Sequence, residues 1–346
     1  MEKKTTIKDI AKIAKVSTTA VSMALNSRPG VSSKTKKKIL GIAKKLNYKP
    51  NYIAKSLISK RSYTIGLIVN NIADPFYAEI ARGTEEKANE LGYSLLLCNI
   101  NRSIEGEKRS LDTLRAKGVD GVVISTATID DPNIKPLIED RFPFVLINRL
   151  SLDPEVENKI DYVVQDNYAC GYNGVKHLYR LGHDRIALIT GALYASTAIR
   201  WTKGAKKALN DHGMDLDAKL VVECDFVRKK AYNAAKQLLA MKNPPTAFFA
   251  QDDYMALGVR EAVLSEGLRI PEDAALMGVD DIETASLTGV DLTTIRQKNY
   301  EMGALGVEIL SNKIEKTTVD MVNKIVLKVD IIKRKSCGYH LRGYVR

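Results

Sequence analysis

The sequence predicts a two-part molecule: a small all-α helix-turn-helix module, then a larger α/β body of two similar halves. Charge is the first reason. The chain has 346 residues and a net charge of +12. Residues 1–62 hold 16 Lys+Arg against only Glu2 and Asp9, a net +14, and the remaining 37 basic and 39 acidic residues come to −2. A basic module on a near-neutral body points to a polyanion partner, nucleic acid first and an anionic membrane second. The second reason is the alternation, from Tyr63 onward, of β-branched runs with amphipathic segments, the pattern of parallel sheets covered by helices on both faces. The body exceeds one typical domain, hence two halves.

Composition excludes several classes. At 45% hydrophobic and 27% charged residues, the chain is globular rather than disordered. No apolar run approaches the roughly 18–20 residues that span a bilayer, and the start, MEKKTTIKDI, lacks a secretory signal pattern. Cys98, Cys170, Cys224 and Cys337 are scattered, as expected of reduced thiols in a cytoplasm; the spacing argues against a disulfide scaffold or structural zinc.

Taken in order, Thr6-Ile7-Lys8-Asp9 has the form of a capping box, followed by Ile7, Ile10, Ala11 and Ala14 on one helical face. Val16 closes a short turn and Ser17 caps a second helix from Thr18 to Leu25, with Val21, Ala24 and Leu25 inward. Asn26 to Val31 reads as a loop. Ser32 or Ser33 starts a third helix with Ile39, Ile42, Ala43 and Leu46 inward. Three such helices with a tight first turn make a helix-turn-helix unit. Thr18, Thr19, Ser22 and Met23 on helix 2 are short enough to reach base edges in a major groove, whereas lysines 34, 36, 37 and 38 suit phosphates.

These segments resemble a known family. D-I-A-x-x-A-x-V-S, V-S-x-x-L-N, V-S-x-x-T and L-N-Y-x-P-N, all within residues 7–51, are similar to the headpiece of the lactose-repressor (LacI/GalR) family of bacterial transcription regulators. Asn51 to Leu57 fits that family's hinge helix, whose leucine enters a central minor-groove step. The resemblance implies a headpiece over 1–48, a hinge over 49–62 and an effector-binding and dimerisation domain over 63–346. Candidate DNA contacts are Thr6, Ser17, Thr18, Thr19, Ser22, Met23, Asn26, Ser32, Lys36, Tyr48, Asn51, Ala54, Lys55 and Leu57. Many relatives carry Arg where Met23 stands, and methionine lacks the bidentate donors that read guanine.

In the body, strands are expected at Thr64–Val69, Ser94–Asn99, Val119–Ile124, Phe144–Ile147, Arg185–Thr190, Thr246–Ala250 and Ala274–Val279. Helices are expected at Phe76–Leu91, Glu105–Lys117, Tyr168–Leu181, Thr202–His212, Arg228–Met241 and Tyr254–Glu266. L-G-H-D-R-I-A at 181–187, D-D-Y-M-A-L-G at 252–258, G-V-D-D at 278–281, L-T-T-I-R-Q at 292–297 and R-K-S at 334–336 continue the resemblance. It implies a two-lobed, doubly wound domain of periplasmic-binding-protein type, a homodimer, and a small effector between the lobes. No leucine-heptad tail follows Arg346, so a dimer is expected rather than a tetramer.

No nucleotide-binding, nucleophile-elbow or zinc-protease motif occurs, and His177, His183 and His212 sit where structural histidines do. Neither catalysis nor a cofactor nor a metal is expected. Candidate effector contacts are Phe76, Tyr77, Asn148, Arg149, Arg200, Trp201, Asp252 and Asp280. Two positions depart from the family: Trp201 stands where Arg is usual, and Asp252 where Asn is. An ionised carboxylate accepts but does not donate, so a neutral, hydroxyl-rich effector, a sugar, is expected, stacked on Tyr77 and Trp201. Two alternatives remain open, a transport-type solute-binding protein with the same body and a regulator controlled by a protein corepressor.

Overall fold

A computed structural model describes residues 5–25, 29–46, 48, 61–214, 217–316 and 322–342. The chain divides into two compact units, Met1–Ser62 and Tyr63–Arg346.

In the first unit, helices α1 (Ile7–Ala14), α2 (Thr18–Leu25) and α3 (Ser33–Lys45) form where their caps dictate. Thr6 accepts from the Asp9 amide while the Asp9 carboxylate takes the Thr6 amide, a complete capping box. Ser17 accepts from the Ala20 amide and Ser32 from the Thr35 amide, which satisfies amides that a helix start otherwise leaves unpaired. Ile10, Ala14, Val21, Ala24 and Ile39 form the core, with Tyr48 packed at its edge. The small alanines let α1 and α2 pack closely.

The second unit has two lobes. The strands of lobe 1 are β1 (Thr64–Val69), β2 (Ser94–Asn99), β3 (Gly121–Ile124), β4 (Phe144–Ile147), β5 (Tyr162–Gln165) and β11 (Lys324–Leu327). They form one six-stranded sheet in the order β11-β5-β4-β3-β1-β2, all parallel. Lobe 2 is built from β6 (Ile186–Thr190), β7 (Val221–Glu223), β8 (Ala247–Ala250) and β9 (Ala275–Met277), in the parallel order β7-β6-β8-β9. An antiparallel pair, β10 (Thr294–Arg296) with β12 (Asp330–Ile332), completes it. Side chains alternate between faces, and in the central strands both faces are buried. Ile65, Leu67 and Val69 enter one apolar cluster and Ile68 the other; Phe249 and Phe248 divide likewise in lobe 2. That is why these strands read as continuous apolar runs. The chain passes between lobes three times, after β5, before the helix Asn299–Glu315 and between β11 and β12.

The expected elements form with boundary shifts, the largest at Thr202–His212, where the helix starts at Ser196. Strands β5, β7, β10, β11 and β12 and the helix Asn299–Glu315 are not among the elements expected from sequence. That helix carries Gly303 and Gly306, which weaken a helical pattern. At Gly303 the glycine is required, because a Cβ there would lie 2.3 Å from the Ile80 carbonyl oxygen of the helix Pro75–Glu90.

Candidate functional site

On the headpiece, Thr18 and Thr19 are exposed in the first turn of α2, and Ser22 and Met23 are half-buried. No acidic residue stands in that turn to repel a phosphate. Met23 leans on the loop after α2, its sulfur 3.2 Å from where a Gly30 Cβ would be. Thr6, Ser17 and Ser32 are exposed, though each hydroxyl serves a cap. Lys34 and Lys37 are exposed and Lys36 is half-buried. Lys38 donates to the Ala14 carbonyl at 2.9 Å, so its ammonium ties α3 to the end of α1. Burial raises the Tyr48 phenol. Asn26, Asn51, Ala54, Lys55, Leu57 and most of the hinge lie outside the described residues.

In the body, a cavity lies between the lobes, beyond the carboxyl ends of strands from both sheets. This is where open α/β folds bind ligands. Lobe 1 contributes Asp74, Phe76 and Tyr77 after β1, Arg102 after β2, and Asn148 and Arg149 after β4. Lobe 2 contributes Asn167, Thr197, Phe226, Gln251, Asp252, Asp280 and Gln297. About 40 Å³ is free inside, room for about three waters. The lobes are latched over it. Arg102 Nη2 donates to the Phe226 carbonyl at 2.9 Å, the Ile129 amide to the Tyr194 carbonyl at 3.0 Å, and the Leu150 amide to Ser196 Oγ at 2.8 Å.

Local sequence explains the placement. Asp74 caps the helix Pro75–Glu90, which turns Phe76 and Tyr77 inward in an edge-to-face pair with ring centroids 4.9 Å apart. Asn70 donates to the Tyr77 hydroxyl at 3.0 Å, and burial raises that phenol. Asn148 has φ +64°, a left-handed turn that asparagine tolerates and that presents Arg149. The Arg149 guanidinium, in a residue only 3% exposed, lies 5.9 Å from the Tyr194 ring and 5.2 Å from that of Phe226.

The lobe 2 wall is acidic. Asp252 caps the helix Asp253–Ser265 by accepting from the Met255 amide and also lines the cavity. Burial, reinforced by the Asp74 carboxylate, pushes it up to about 7. The sequence expectation treats Asp252 as ionised and accept-only. At that value a proton is present half the time near neutrality, and the carboxyl then donates as an amide would. Burial raises Asp280 well above the carboxylate range, helped by Asp253, Asp252 and Asp74. Asp253 is fully buried and accepts from Thr294 Oγ1 at 2.6 Å and the Ile282 amide at 3.0 Å; its role is to tie strand to helix.

Of the eight candidates, six line the cavity: Phe76, Tyr77, Asn148, Arg149, Asp252 and Asp280. Trp201 and Arg200 do not, which corrects the expectation. Trp201 is wholly buried in lobe 2, its ring 4.7 Å from that of Phe249, because the helix begins a turn and a half earlier than its pattern indicates. Thr197 therefore occupies the cavity end, and position 201 lies one turn deeper on the same face. Arg200 is half-buried on the neighbouring face of that helix. Phe226 supplies the aromatic wall instead. It follows β7, a three-residue strand that the pattern does not mark, so no sequence signal points to it; Arg102 follows the expected strand β2, where the strand-end rule could have flagged it. His177 is buried with Nε2 3.3 Å from Cys337 Sγ and is lowered to about 4 by burial, a packing role. Among the described residues no cluster suits a metal, and no helix is long and apolar enough to cross a membrane.

A helix-turn-helix unit joined to a two-lobed body with an interlobe cavity defines a DNA-binding regulator with a periplasmic-binding-protein-type domain. Comparison with known proteins agrees. Residues 6–51 match the lacI family of bacterial regulatory proteins, and residues 62–335 match the periplasmic binding proteins and sugar binding domain of the LacI family. The transcriptional repressor PurR of Pasteurella multocida is 34% identical over 335 residues, 95% of this chain and 99% of the relative. The structure of the Lac repressor dimer bound to operator and the anti-inducer ONPF superposes with a TM-score of 0.85 at 29% identity, covering 97% of this chain and 99% of that one. A complex of the regulator CelR with cellobiose gives 0.74 at 30% identity, covering 96% and 100%. The chain belongs to the LacI family of transcriptional regulators.

Proposed function

We propose that this regulator represses transcription as a homodimer on a pseudo-palindromic operator and that a small hydroxylated molecule, a sugar, held between the lobes of the body sets its affinity for DNA. The observation that carries the effector reading is the cavity itself. Its walls combine the aromatic faces of Phe76 and Phe226 with the carboxyls of Asp252 and Asp280, a pairing that suits the apolar faces and hydroxyl rim of a sugar ring. The match to a sugar-binding domain and the cellobiose complex of a similar regulator support the same class. Since the closed cleft has room for only a few waters, the effector enters a more open form and shifts the balance between the two. The Arg102–Phe226 latch is one contact that must change.

On DNA, Thr18, Thr19 and Ser22 serve base readout, Lys34 and Lys37 serve phosphates, and Leu57 of the hinge enters a central pyrimidine–purine step. Selection of binding sequences followed by footprinting tests this. A protected site with two-fold symmetry and half-sites about one helical turn apart is the expected result, with Leu57→Ala lowering operator affinity at least tenfold. A footprint without two-fold symmetry, or full affinity in Leu57→Ala, contradicts the reading.

A further inference from the structure

Beside the cleft lies a second, partly open cavity of about 190 Å³, walled by lobe 1 and by Tyr194 of lobe 2. Arg102 and Arg149 line both spaces, so the two are adjoining chambers with Arg149 as their partition. An apolar cavity of about 150 Å³ admits benzene, so this chamber has room for one six-membered ring. Its walls are not those of an ordinary core void. Thr128 is 6% exposed and Arg149 3%, yet Thr128 Oγ1 and Arg149 Nε have no hydrogen-bond partner among the described residues, a state that buried polar groups rarely keep without a ligand or solvent. Two buried carboxyls, Glu107 and Asp131, also line the chamber. Glu107 accepts from Thr126 and, at 3.0 Å, from Asn133, and Asp131 accepts from the Thr128 and Asn133 amides. Tyr194 and Ile104 give the chamber apolar faces.

We infer that this chamber is a second subsite of the effector site and that the effector is a disaccharide, one ring between the lobes and the other in the chamber. The inference rests on the reading of the cleft as a sugar site. In the chamber, Tyr194 and Ile104 meet the ring faces, Thr128 and Arg149 Nε hydrogen-bond its oxygens, and Glu107 and Asp131 accept from its hydroxyls. Burial and the neighbouring Asp131, to which it hydrogen-bonds, push Glu107 up to about 7, and the remaining lone pairs of the two carboxyls are acceptors for ring hydroxyls. The Arg149 guanidinium, 5.9 Å from the Tyr194 ring and 5.2 Å from the Phe226 ring, then lines the waist past which the glycosidic link runs, and it fixes how the two rings are joined.

Calorimetry on the full chain tests this, with glucose, galactose and ribose set against cellobiose, maltose, lactose, trehalose and sucrose. The expected result is a disaccharide that binds at least tenfold tighter than every monosaccharide. Thr128→Val, which keeps the shape and removes the hydroxyl, should reduce that preference several-fold. Thr128→Tyr, which fills the chamber, should abolish it. If Thr128→Tyr does not fold, Thr128→Val decides alone. A monosaccharide that binds as tightly as every disaccharide, or a preference unchanged in the folded variants, overturns the second subsite and leaves the cleft reading intact. Binding of none of these sugars overturns both.

Discussion

Asp252 both caps a helix and lines the interlobe cavity, and its protonation follows from that position. Its ordinary value is 3.8, and in the folded chain it stands at about 7. Between those values the native state holds a proton that the unfolded chain has released. The stabilisation is therefore complete below about pH 4 and is lost as pH rises through 7. Asp253, pushed to about 8, and Glu107, at about 7, act in the same direction. Asparagine caps a helix as well as aspartate does, so Asp252→Asn removes one contribution and leaves the helix start intact. From pH 5.5 to 8 the variant should lose about 2 kcal/mol less stability than the native chain, as measured by urea unfolding. An equal loss in both would mean that Asp252 is ionised throughout. The titration is also where sequence reasoning stops short: Asp252 is visible as a departure from the family, but the burial that protonates it is not.

The helix Ser196–Asp211 shows how an element boundary decides which residues form a site. Its apolar spacing becomes regular only from Thr202, so the pattern hides the first turn and moves position 201 toward the cavity. Continuous apolar runs make most strands of both lobes legible, the edge strand β2 included, whereas strands with three or fewer consecutive apolar residues, β5 and β7 among them, are not. In β11 exposed and half-buried residues alternate, and β7 has only three residues. Packing of the helix Ser196–Asp211 yields its own test. It crosses the helix Asn167–Arg180 so closely that a Cβ on Gly171 would lie 2.0 Å from the Trp201 carbonyl oxygen. Backbone cannot yield as a flexible side chain can, so Gly171→Ala should destabilise the body by about 3 kcal/mol and shift Trp201, the only tryptophan. Fluorescence-detected unfolding would show both effects. A native-like emission spectrum with unchanged stability would mean that the helices separate freely.

At the scale of the whole molecule, the division of charge is fully legible in the sequence, and it assigns DNA affinity to one end of the chain. The first 62 residues carry +14 and the remainder −2, so nearly all long-range attraction to a polyanion originates in the headpiece and hinge. Each lysine that neutralises a phosphate releases condensed counterions, and affinity falls with salt in proportion to the number of phosphates neutralised. Not every lysine counts, because Lys38 is engaged with the Ala14 carbonyl. For the proposed dimer, with three to five phosphates neutralised by each headpiece, affinity for the selected operator should fall by about 10³–10⁵ between 50 and 200 mM salt. Lys34→Ala and Lys37→Ala should each flatten the slope of log affinity against log salt, by about one unit for every phosphate left without its cation, and do so equally for operator and random DNA. Thr18→Ala should instead lower the preference for operator over random DNA with little change of slope. Fluorescence anisotropy across a salt series separates the two behaviours. A flat salt response, or a slope as sensitive to Thr18 as to the lysines, would contradict the division between phosphate binding and base readout.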